Sequence, residues 1–296
     1  MLTHQWPEGR KPARVVILGA SGFLARHLRQ RLETGGITVC PIGSKELDLS
    51  ADDGSKRLGE LLDANDSLVI LSAITPDKGK DVAAFMTNLA MGRTICEALA
   101  AQSVAHVIYI SSDAVYPFTD TIVTEESVAE PTDLYSAMHR VREIMIGTAT
   151  EAPYAILRPT MVLGAGDTHN SYGPNRFRRQ AASEGRIVLG GGGEETRDHI
   201  DIEDAITLIE LVLRHRSAGL LNLATGQSIA FVDLARMVAN LFDPPALVET
   251  TERTLPMTHR HFDATAIHAA FPEFRFTLCE DTLRKAHATE ITDHRS

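Results

Sequence analysis

Residues 15–26 read VVILGASGFLAR, and this stretch decides the fold. A β-branched run, a turn with two glycines and the start of an amphipathic helix follow one another, which is the order of a nucleotide-binding βα unit. Gly19 permits a tight turn. Gly22 lets the backbone approach a pyrophosphate at the helix N-terminus, where free N–H groups and the helix dipole favour anions. Ala25 stands at the third glycine position and is small enough for close packing. The stretch therefore predicts a dinucleotide site.

The bulk composition bounds the class of protein. The 296 residues are enough for one full α/β core and a smaller additional portion. A formal net charge of -10 argues against generic binding to nucleic acid or anionic membranes, and no apolar run reaches membrane-spanning length. Cys40, Cys96 and Cys279 are dispersed, which indicates reduced thiols in a cytoplasmic protein. The polar segment 1–12 is predicted to be a loose tail.

Apolar strands and amphipathic helices alternate through the first half of the chain. The pattern predicts strands at 37–40, 68–71, 104–110 and 154–157, and helices at 56–62, 82–101 and 134–148. Such alternation is typical of a parallel sheet covered on both faces. We expect an α/β fold with a Rossmann-type doubly wound parallel sheet and a smaller C-terminal α+β substrate-binding portion. Residues 1–160 form the expected dinucleotide-binding domain, with return segments around 198–225, and residues 161–296 mainly bind substrate.

Three further patches carry polar side chains at the ends of predicted elements. Residues 111–116 read SSDAVY, 135–139 read YSAMH and 157–160 read LRPT. With the glycine turn, they resemble the extended short-chain dehydrogenase/reductases, specifically the NAD-dependent epimerase/dehydratase family that acts on nucleotide sugars. The resemblance covers nearly the whole chain. It implies a nicotinamide cofactor, a nucleotide-sugar substrate and a homodimer paired through the helices at 82–101 and 134–148.

The resemblance assigns the catalytic roles to Ser112, Tyr135, His139 and Asp113. Tyr135 is the expected general acid or base, which requires a phenol pKa far below its ordinary value of about 10. Ser112 is expected to hydrogen-bond the reacting sugar oxygen. His139 stands where the family has a lysine that supplies positive charge. Because an imidazole has an ordinary pKa near about 6.5, we expect weaker help and a turnover that depends on both the imidazole and the phenol ionisations.

The predicted cofactor-binding residues are Gly19, Ser21, Gly22, Phe23, Leu24, Ser44, Lys45, Asp48, Leu49, Leu71, Ser72, Ala73, Tyr135 and His139. Sites that select NAD place an acid about 20 residues after the first glycine, on the ribose 2′-hydroxyl. No acid occurs in this region until Glu46. Ser44 and Lys45, together with Arg26, can instead meet a 2′-phosphate. The pattern therefore favours NADP, with NAD as the alternative.

The predicted substrate contacts are Asn175, Arg197, Arg253 and His261. Asn175 and Arg197 match family positions that contact the diphosphate, and a guanidinium suits phosphate because it donates two parallel hydrogen bonds. Met161 stands where the family usually has asparagine, so one polar contact is expected to be missing. No metal is expected, because the loop histidines lack tight ligand spacing; these are His169, His199, His259 and His261.

The residues after Ser112 bear on the reaction. Dehydratases of the family carry an acid followed by glutamate just after the active-site serine or threonine, whereas this chain has Asp113 followed by Ala114. Dehydration is therefore disfavoured, and epimerase and 4-ketoreductase reactions both remain open. The alternative from a different class is a catalytically weak NADP-binding sensor or regulatory protein of the same fold.

Overall fold

The computed structural model describes residues 2–119, 121–167 and 173–293. Its strands are β1 (Thr3–His4), β2 (Arg14–Leu18), β3 (Val39–Ile42), β4 (Asp66–Ile70), β5 (His106–Ile110), β6 (Ile122–Val123), β7 (Tyr154–Pro159), β8 (Met161–Leu163), β9 (Arg186–Gly190), β10 (Thr196–Asp201), β11 (Ser217–Leu223), β12 (Ser228–Ala230), β13 (Leu247–Thr251) and β14 (His261–Phe262). Its helices are α1 (Phe23–Thr34), α2 (Gly54–Leu61), α3 (Val82–Ala101), α4 (Leu134–Ala149), α5 (Pro174–Glu184), α6 (Ile202–Arg214), α7 (Phe231–Ala239), α8 (Thr265–Ala270) and α9 (Cys279–Asp293).

The large sheet has the strand order β3-β2-β4-β5-β7-β11-β1. Its neighbours run parallel, apart from β1, which is antiparallel to β11. The chain passes from β2 outward to β3 and then returns to β4 on the other side of β2, so the direction of winding reverses between β2 and β4. Ligands of open α/β sheets bind outside the carboxyl ends of the strands at such a reversal. The predicted α/β class with a Rossmann-type sheet is confirmed.

Both faces of this sheet are buried, and β2 shows how its sequence produces this. Val15 and Ile17 belong to a core cluster with α1 and α6, whereas Val16 and Leu18 belong to a second cluster with α2, α3 and α4. Successive side chains of a strand point to opposite faces, so an uninterrupted apolar strand can contribute to both layers. Within the described ranges, no helix combines the length and the apolar character needed to cross a membrane.

The later part of the chain forms small sheets, with the orders β12-β10-β8, β13-β9 and β14-β6. The buried Asp198 carboxylate, in β10, connects the β12-β10-β8 sheet to the large sheet. It accepts hydrogen bonds from the Thr160 hydroxyl at 2.9 Å and from the Thr225 backbone N–H and hydroxyl at 3.0 and 2.8 Å. Burial raises the pKa of Asp198. Since Thr160 follows β7 and Thr225 follows β11, this one side chain fixes the loops at the ends of two neighbouring strands.

The prediction of a loose N-terminal tail is wrong for its described residues. Strand β1 pairs with β11 at the edge of the large sheet. The His4 imidazole Nδ1 lies 2.7 Å from the Ser217 hydroxyl, and its ring centroid lies 4.7 Å from that of His215 and 5.2 Å from that of Phe271, in tilted contacts. These partners are more than 200 residues away in the sequence, so the local polarity of the segment gave no sign of them.

Candidate active site

A cavity of about 1060 Å³ lies at the winding reversal of the large sheet. It is lined by the turn after β2, the loop after β4, the end of β5, the first turn of α4 and residues of β8 and β10. The sequence-predicted residues that border it are Ser21, Gly22, Phe23, Leu24, Leu71, Ala73, Ser112, Asp113, Tyr135, Asn175 and Arg197. The predicted residues outside its lining are Gly19, Ser44, Lys45, Asp48, Leu49, Ser72, His139, Arg253 and His261.

The turn after β2 has the backbone that a bound pyrophosphate requires. Gly19 has φ +86°, and a Cβ there would lie 2.8 Å from the backbone N and Cα atoms of Ser72. A side chain would therefore clash with the next strand's end and strain the turn. Gly22 caps α1, whose first turn contains no acidic residue. The free N–H groups at this helix start border the cavity, which fits an anionic group there.

The residues expected at the adenosine end lie beyond the cavity lining. Ser44 and Lys45 are exposed on the loop after β3, while Leu49 is buried in the core. The Asp48 carboxylate accepts hydrogen bonds from the Ser50 backbone N–H at 2.8 Å and the Ser50 hydroxyl at 2.6 Å, which lowers its pKa. The first acid after β3 is also engaged locally, because the Gly43 N–H donates to Glu46 Oε2 at 2.9 Å.

Ser112 and Tyr135 reach the cavity from β5 and α4. The Ser112 hydroxyl accepts a hydrogen bond from the Ala114 N–H at 3.1 Å, which starts the 3₁₀ turn Asp113–Val115. Tyr135 is the second residue of α4. A capping box fixes this helix start: the Asp133 carboxylate accepts from the Ser136 N–H at 2.9 Å, and the Asp133 N–H donates to the Ser136 hydroxyl at 3.2 Å. The cap holds the Tyr135 backbone in place at the cavity wall.

His139 lies behind Tyr135, away from the cavity lining. The two rings meet edge to face with centroids 4.7 Å apart, and His139 Nδ1 lies 2.7 Å from the Tyr109 hydroxyl. Burial lowers the pKa of His139 to about 3, and the Arg142 guanidinium contributes in the same direction. The imidazole is therefore neutral across the pH range of ordinary enzymes. This burial argues against the expectation that its ionisation shapes turnover near neutral pH, because that expectation assumed a solvated ring.

The opposite wall carries two arginines on one aromatic ring. The guanidinium carbons of Arg197 and Arg260 lie 4.6 and 4.3 Å from the centre of the Phe118 ring. Arg197 also donates to the carbonyl oxygen and hydroxyl of Thr258, at 2.7 and 2.6 Å. Arg260 Nη1 donates to the Asp113 carboxylate at 3.0 Å. All these groups except Thr258 border the cavity, so its wall presents two guanidinium groups, of which Arg260 is paired with the Asp113 carboxylate.

Two of the predicted substrate contacts are engaged elsewhere. Arg253 forms ion pairs with Glu194 and Glu195, on the turn before β10. His261 lies in strand β14, and its Nε2 atom is 3.3 Å from the hydroxyl of Thr196 in β10. The prediction grouped them with the cavity because they fall in the C-terminal stretch of the chain. The fold instead turns Arg253 towards a local pair of carboxylates, which compensate its charge.

Sequence reasoning missed several lining residues, namely Phe118, Arg260, Lys78, Lys80, His199 and Phe231. Lys78 and Lys80 follow the predicted strand end at Ala73. Their position after a strand end could therefore have indicated that they lie on a loop facing the ligand. Arg260 had no such signal, because it follows an irregular loop and its partner Asp113 is 147 residues away.

Among the described residues, no group of three or more His, Cys, Asp or Glu side chains is arranged to hold a metal ion. His169 lies outside the described residues.

Comparison with known proteins agrees with this arrangement. The model of the NAD dependent epimerase/dehydratase family matches residues 15–224. The chain is 25% identical, over 297 aligned positions, to the Arabidopsis thaliana trifunctional UDP-glucose 4,6-dehydratase/UDP-4-keto-6-deoxy-D-glucose 3,5-epimerase/UDP-4-keto-L-rhamnose-reductase. That alignment covers 85% of this chain and 43% of the relative, so the chain spans less than half the length of that protein.

Two solved structures share the fold. The protein RMD from Pseudomonas aeruginosa, complexed with NADPH, has a TM-score of 0.83 at 21% identity, covering 95% of this chain and 99% of that one. The UDP-glucuronic acid 4-epimerase from Bacillus cereus, in complex with UDP-glucuronic acid and NAD, has a TM-score of 0.82 at 19% identity, covering 94% of this chain and 99% of that one. Since the family model spans most of the chain, the predicted resemblance is confirmed: the protein belongs to the NAD dependent epimerase/dehydratase family.

Proposed function

We propose that this protein is an NAD(P)-dependent oxidoreductase or isomerase acting on a nucleotide-diphosphate sugar, as an epimerase or a 4-ketoreductase. The observation that carries the proposal is the meeting of Ser112 and Tyr135 with the glycine turn and the α1 N-terminus on one cavity. The N-terminus of α1 can bind the pyrophosphate of a dinucleotide. Ser112 and Tyr135 would then lie where they can exchange a proton with a substrate bound next to that dinucleotide.

The residues at the sheet reversal fit a nicotinamide dinucleotide. Gly22, Phe23 and Leu24 would hold its pyrophosphate through backbone N–H groups, and Leu71 and Ala73 would pack beside it after β4. When bound, such a dinucleotide would supply hydride transfer at a sugar carbon, out and back for an epimerase, or from its reduced form to a carbonyl for a 4-ketoreductase. NADP is the proposed form, because Lys45 is free to meet a 2′-phosphate while Glu46 is hydrogen-bonded to its own turn. The NADPH complex of a similar structure is compatible with this preference.

Ser112 and Tyr135 would share the proton chemistry. The Ser112 hydroxyl would donate to the reacting sugar oxygen and orient it. The Tyr135 phenol would take the hydroxyl proton as a carbonyl forms at that carbon, or give it back as the carbonyl is reduced. Asp113 is a weak candidate for a separate acid, because its carboxylate is paired with Arg260 at 3.0 Å and Ala114 follows it. Dehydration is therefore not proposed.

The substrate side of the cavity suits a diphosphate. Arg197 and Asn175 border it, and Lys78, Lys80 and Arg260 bring positive charge to the same space. The lining also carries carboxylates: Asp113 is paired with Arg260, Asp167 accepts a hydrogen bond from the Asn175 amide, and Asp77 and Asp133 complete the set. An anionic nucleotide sugar would gain from these groups even though the chain as a whole carries a formal charge of -10. UDP-sugars are named for two of the similar proteins, which makes them the first substrates to try.

A catalytically weak cofactor sensor is the second candidate, and one observation favours it. The neutral, buried His139 supplies no positive charge to Tyr135, so the phenol lacks the help that a lysine at this position would give. A sensor would bind the dinucleotide without turning over a sugar. The two candidates differ in whether a sugar is converted, either with net consumption of the cofactor or by epimerisation without it.

We also propose a homodimer paired through α3 and α4. These helices pack on each other in the monomer, yet Val82, Met86 and Ile144 remain 65%, 56% and 54% exposed. Apolar side chains this exposed on two adjacent helices are compatible with a subunit interface.

The test is incubation of the purified protein with NADPH or NADP and a panel of UDP-sugars, followed by nicotinamide absorbance and product analysis. An epimerase converts one sugar to its epimer without net absorbance change, and a reductase consumes NADPH when the panel includes a UDP-4-keto sugar. Tyr135→Phe is expected to abolish turnover while cofactor affinity stays within a few-fold. Tyr154→Phe is the matched control, because its hydroxyl bonds the Glu143 carbonyl outside the cavity. Full activity of Tyr135→Phe would refute the acid–base assignment, and cofactor binding without any redox change or epimerisation would favour the sensor.

A further inference from the structure

His199 is a buried imidazole on the substrate side of the cavity that the proposed mechanism does not use. It sits in β10, directly across from Met161 of β8 in the parallel pairing, and both side chains border the cavity. The ring of Phe231 lies edge to face with it, with centroids 6.4 Å apart. Met161 and Phe231 are apolar neighbours of the imidazole, and the charge of Arg197 also acts on it. Met161 stands at the position where the family usually has asparagine.

The hydrogen bond at one ring nitrogen fixes which nitrogen of His199 carries the proton. Nδ1 lies 3.1 Å from the backbone carbonyl oxygen of Arg197. A carbonyl oxygen can only accept, so Nδ1 must be the N–H donor. Burial lowers the pKa of His199 to about 4, so the ring carries no second proton near neutral pH. Nε2 is consequently an acceptor with a free lone pair.

That acceptor is left unsatisfied. Nε2 is buried and has no hydrogen-bond partner among the described residues. A buried polar atom without a partner costs free energy, and proteins keep such atoms mainly where a ligand or a specific device uses them. Met161 and Phe231 both border the cavity beside the ring, and methionine is a flexible side chain, so a modest rearrangement there would expose Nε2.

We propose that His199 is a specificity-determining residue whose Nε2 accepts a hydrogen bond from an O–H or N–H donor of the bound nucleotide sugar, taking over the polar contact that Met161 cannot make. The inference rests on the proposed substrate class. It adds a direction to the contact: an asparagine amide can donate or accept, whereas this imidazole can only accept. A ligand that presents an acceptor at this point would be rejected, because two acceptors would face each other without a proton between them.

The first experiment reads the tautomer and the contact directly. Protein labelled with ¹⁵N-histidine is recorded by long-range proton–nitrogen NMR, with the His199 signals assigned from their loss in His199→Asn. Free protein should show a protonated Nδ1 and an unprotonated Nε2. Titration with UDP-glucose should move the Nε2 resonance in the direction of an accepted hydrogen bond, and titration with UDP alone separates a donor on the sugar from one on the nucleotide. NADPH alone should leave the Nε2 resonance in place.

The second experiment measures affinity for UDP-glucose by calorimetry. His199→Asn keeps an amide N–H that can donate to the Arg197 carbonyl, and its amide oxygen lies closer to the backbone than Nε2, so no acceptor occupies the position of Nε2. We therefore expect about ten-fold weaker binding of UDP-glucose and unchanged NADPH binding. The double variant His199→Phe with Met161→Asn moves the polar group to the neighbouring strand and should recover most of the lost affinity.

Three outcomes would overturn the inference. An Nε2–H tautomer or an imidazolium in the free protein removes its premise. A bound UDP-sugar that leaves Nε2 unmoved removes the contact. Unchanged affinity in folded His199→Asn removes its energetic role. If neither UDP nor UDP-glucose binds at all while NADPH does, UDP-sugars fail as substrates and the proposed contact to them fails as well, whereas the tautomer is still read independently in the free protein.

Discussion

The Arg260 guanidinium lies 3.0 Å from the Asp113 carboxylate, joining two residues that are 147 positions apart in the sequence. The same guanidinium donates to the Tyr116 carbonyl oxygen at 2.7 Å. Asp113 directly follows Ser112, whose hydroxyl lies 3.4 Å from the other carboxylate oxygen. The C-terminal part of the chain therefore braces the loop that presents the proposed catalytic serine.

Removing Arg260 should damage both stability and activity. In Arg260→Ala the largely buried Asp113 carboxylate loses its charge partner, and breaking such a pair typically costs about 3 kcal/mol of unfolding free energy. We expect a similar cost here and at least about ten-fold lower kcat/KM, measured by urea unfolding and steady-state kinetics. Adding Asp113→Ala should restore part of the stability but not the activity. Arg253→Ala is the control, because its ion pairs lie outside the cavity; equal losses in both arginine variants would contradict the bracing role.

Replacing His139 with lysine should change the pH dependence of turnover. An ammonium near Tyr135 favours the phenolate, so the alkaline rise in kcat should move to lower pH by about 1 unit or more. The variant should also unfold at lower temperature, because the charge is buried near Arg142 and Tyr109 loses its hydrogen-bond partner. The exposed His268→Lys serves as control. A folded His139→Lys protein with an unchanged pH profile would refute the electrostatic argument, and complete loss of activity would give His139 a dedicated role of its own.

The cofactor preference can be tested at the loop after β3. We expect NADPH to bind more tightly than NADH, and Lys45→Ala to weaken NADPH binding about five-fold to ten-fold while NADH binding stays constant, because only the 2′-phosphate meets the lysine. Calorimetric titration of both cofactors measures this. Glu46→Gln is the complementary variant. If NADH binds better and Glu46→Gln weakens it, Glu46 serves the ribose hydroxyls, and Ser44 and Lys45 are ordinary loop residues.

Three buried histidines should make the fold sensitive to acid. Burial lowers the pKa of His139 to about 3 and those of His106 and His199 to about 4, against an ordinary value of 6.5. Between these values the unfolded chain binds more protons than the folded one. The free energy of unfolding should therefore hold its full value above pH 6.5 and fall as the pH drops below it, by about 1.4 kcal/mol per pH unit for each histidine.

Urea unfolding as a function of pH measures this slope. His106→Gln can keep the 2.8 Å hydrogen bond to the Ser217 carbonyl and should remove about one third of the slope from these three groups. The exposed His268→Gln should leave the slope unchanged. A stability that is flat from about pH 7 to pH 5 would show that these imidazoles are already solvated in the folded protein.

If the protein is a dimer paired through α3 and α4, introducing negative charges on these helices should dissociate it into monomers. Met86→Asp combined with Ile144→Asp should give a monomer by light scattering at micromolar concentration, where the unaltered protein is dimeric, because the carboxylates would be buried against apolar partners. Leu247→Asp, on a residue that is 65% exposed in β13, should remain dimeric. A monomeric unaltered protein would end the proposal.

Local patterns in the sequence were sufficient wherever neighbours along the chain decide the structure. Helix α3 has the predicted bounds of 82–101, since its largely apolar sequence contains no proline, begins at the Asp81 cap and ends at Gln102. The glycine turn was likewise readable, because the positive φ of Gly19 and the helix start after Gly22 are local requirements. Ser112 and Tyr135 could be placed at the cavity because each follows or begins a predictable element.

The sequence by itself therefore determined the βα turn, the alternation that produces a buried parallel sheet, and the element ends that carry Ser112 and Tyr135. Only the tertiary structure decided what surrounds each side chain. It left His139 neutral by burying it against Tyr109, joined Arg260 to Asp113, paired Arg253 with two glutamates and bound the N-terminal segment to β11. The physical reason is that the formation of a helix or strand depends on residues a few positions apart. Desolvation, hydrogen bonding and ion pairing depend on partners that can lie more than 200 positions away in the sequence, as His4 and Ser217 do.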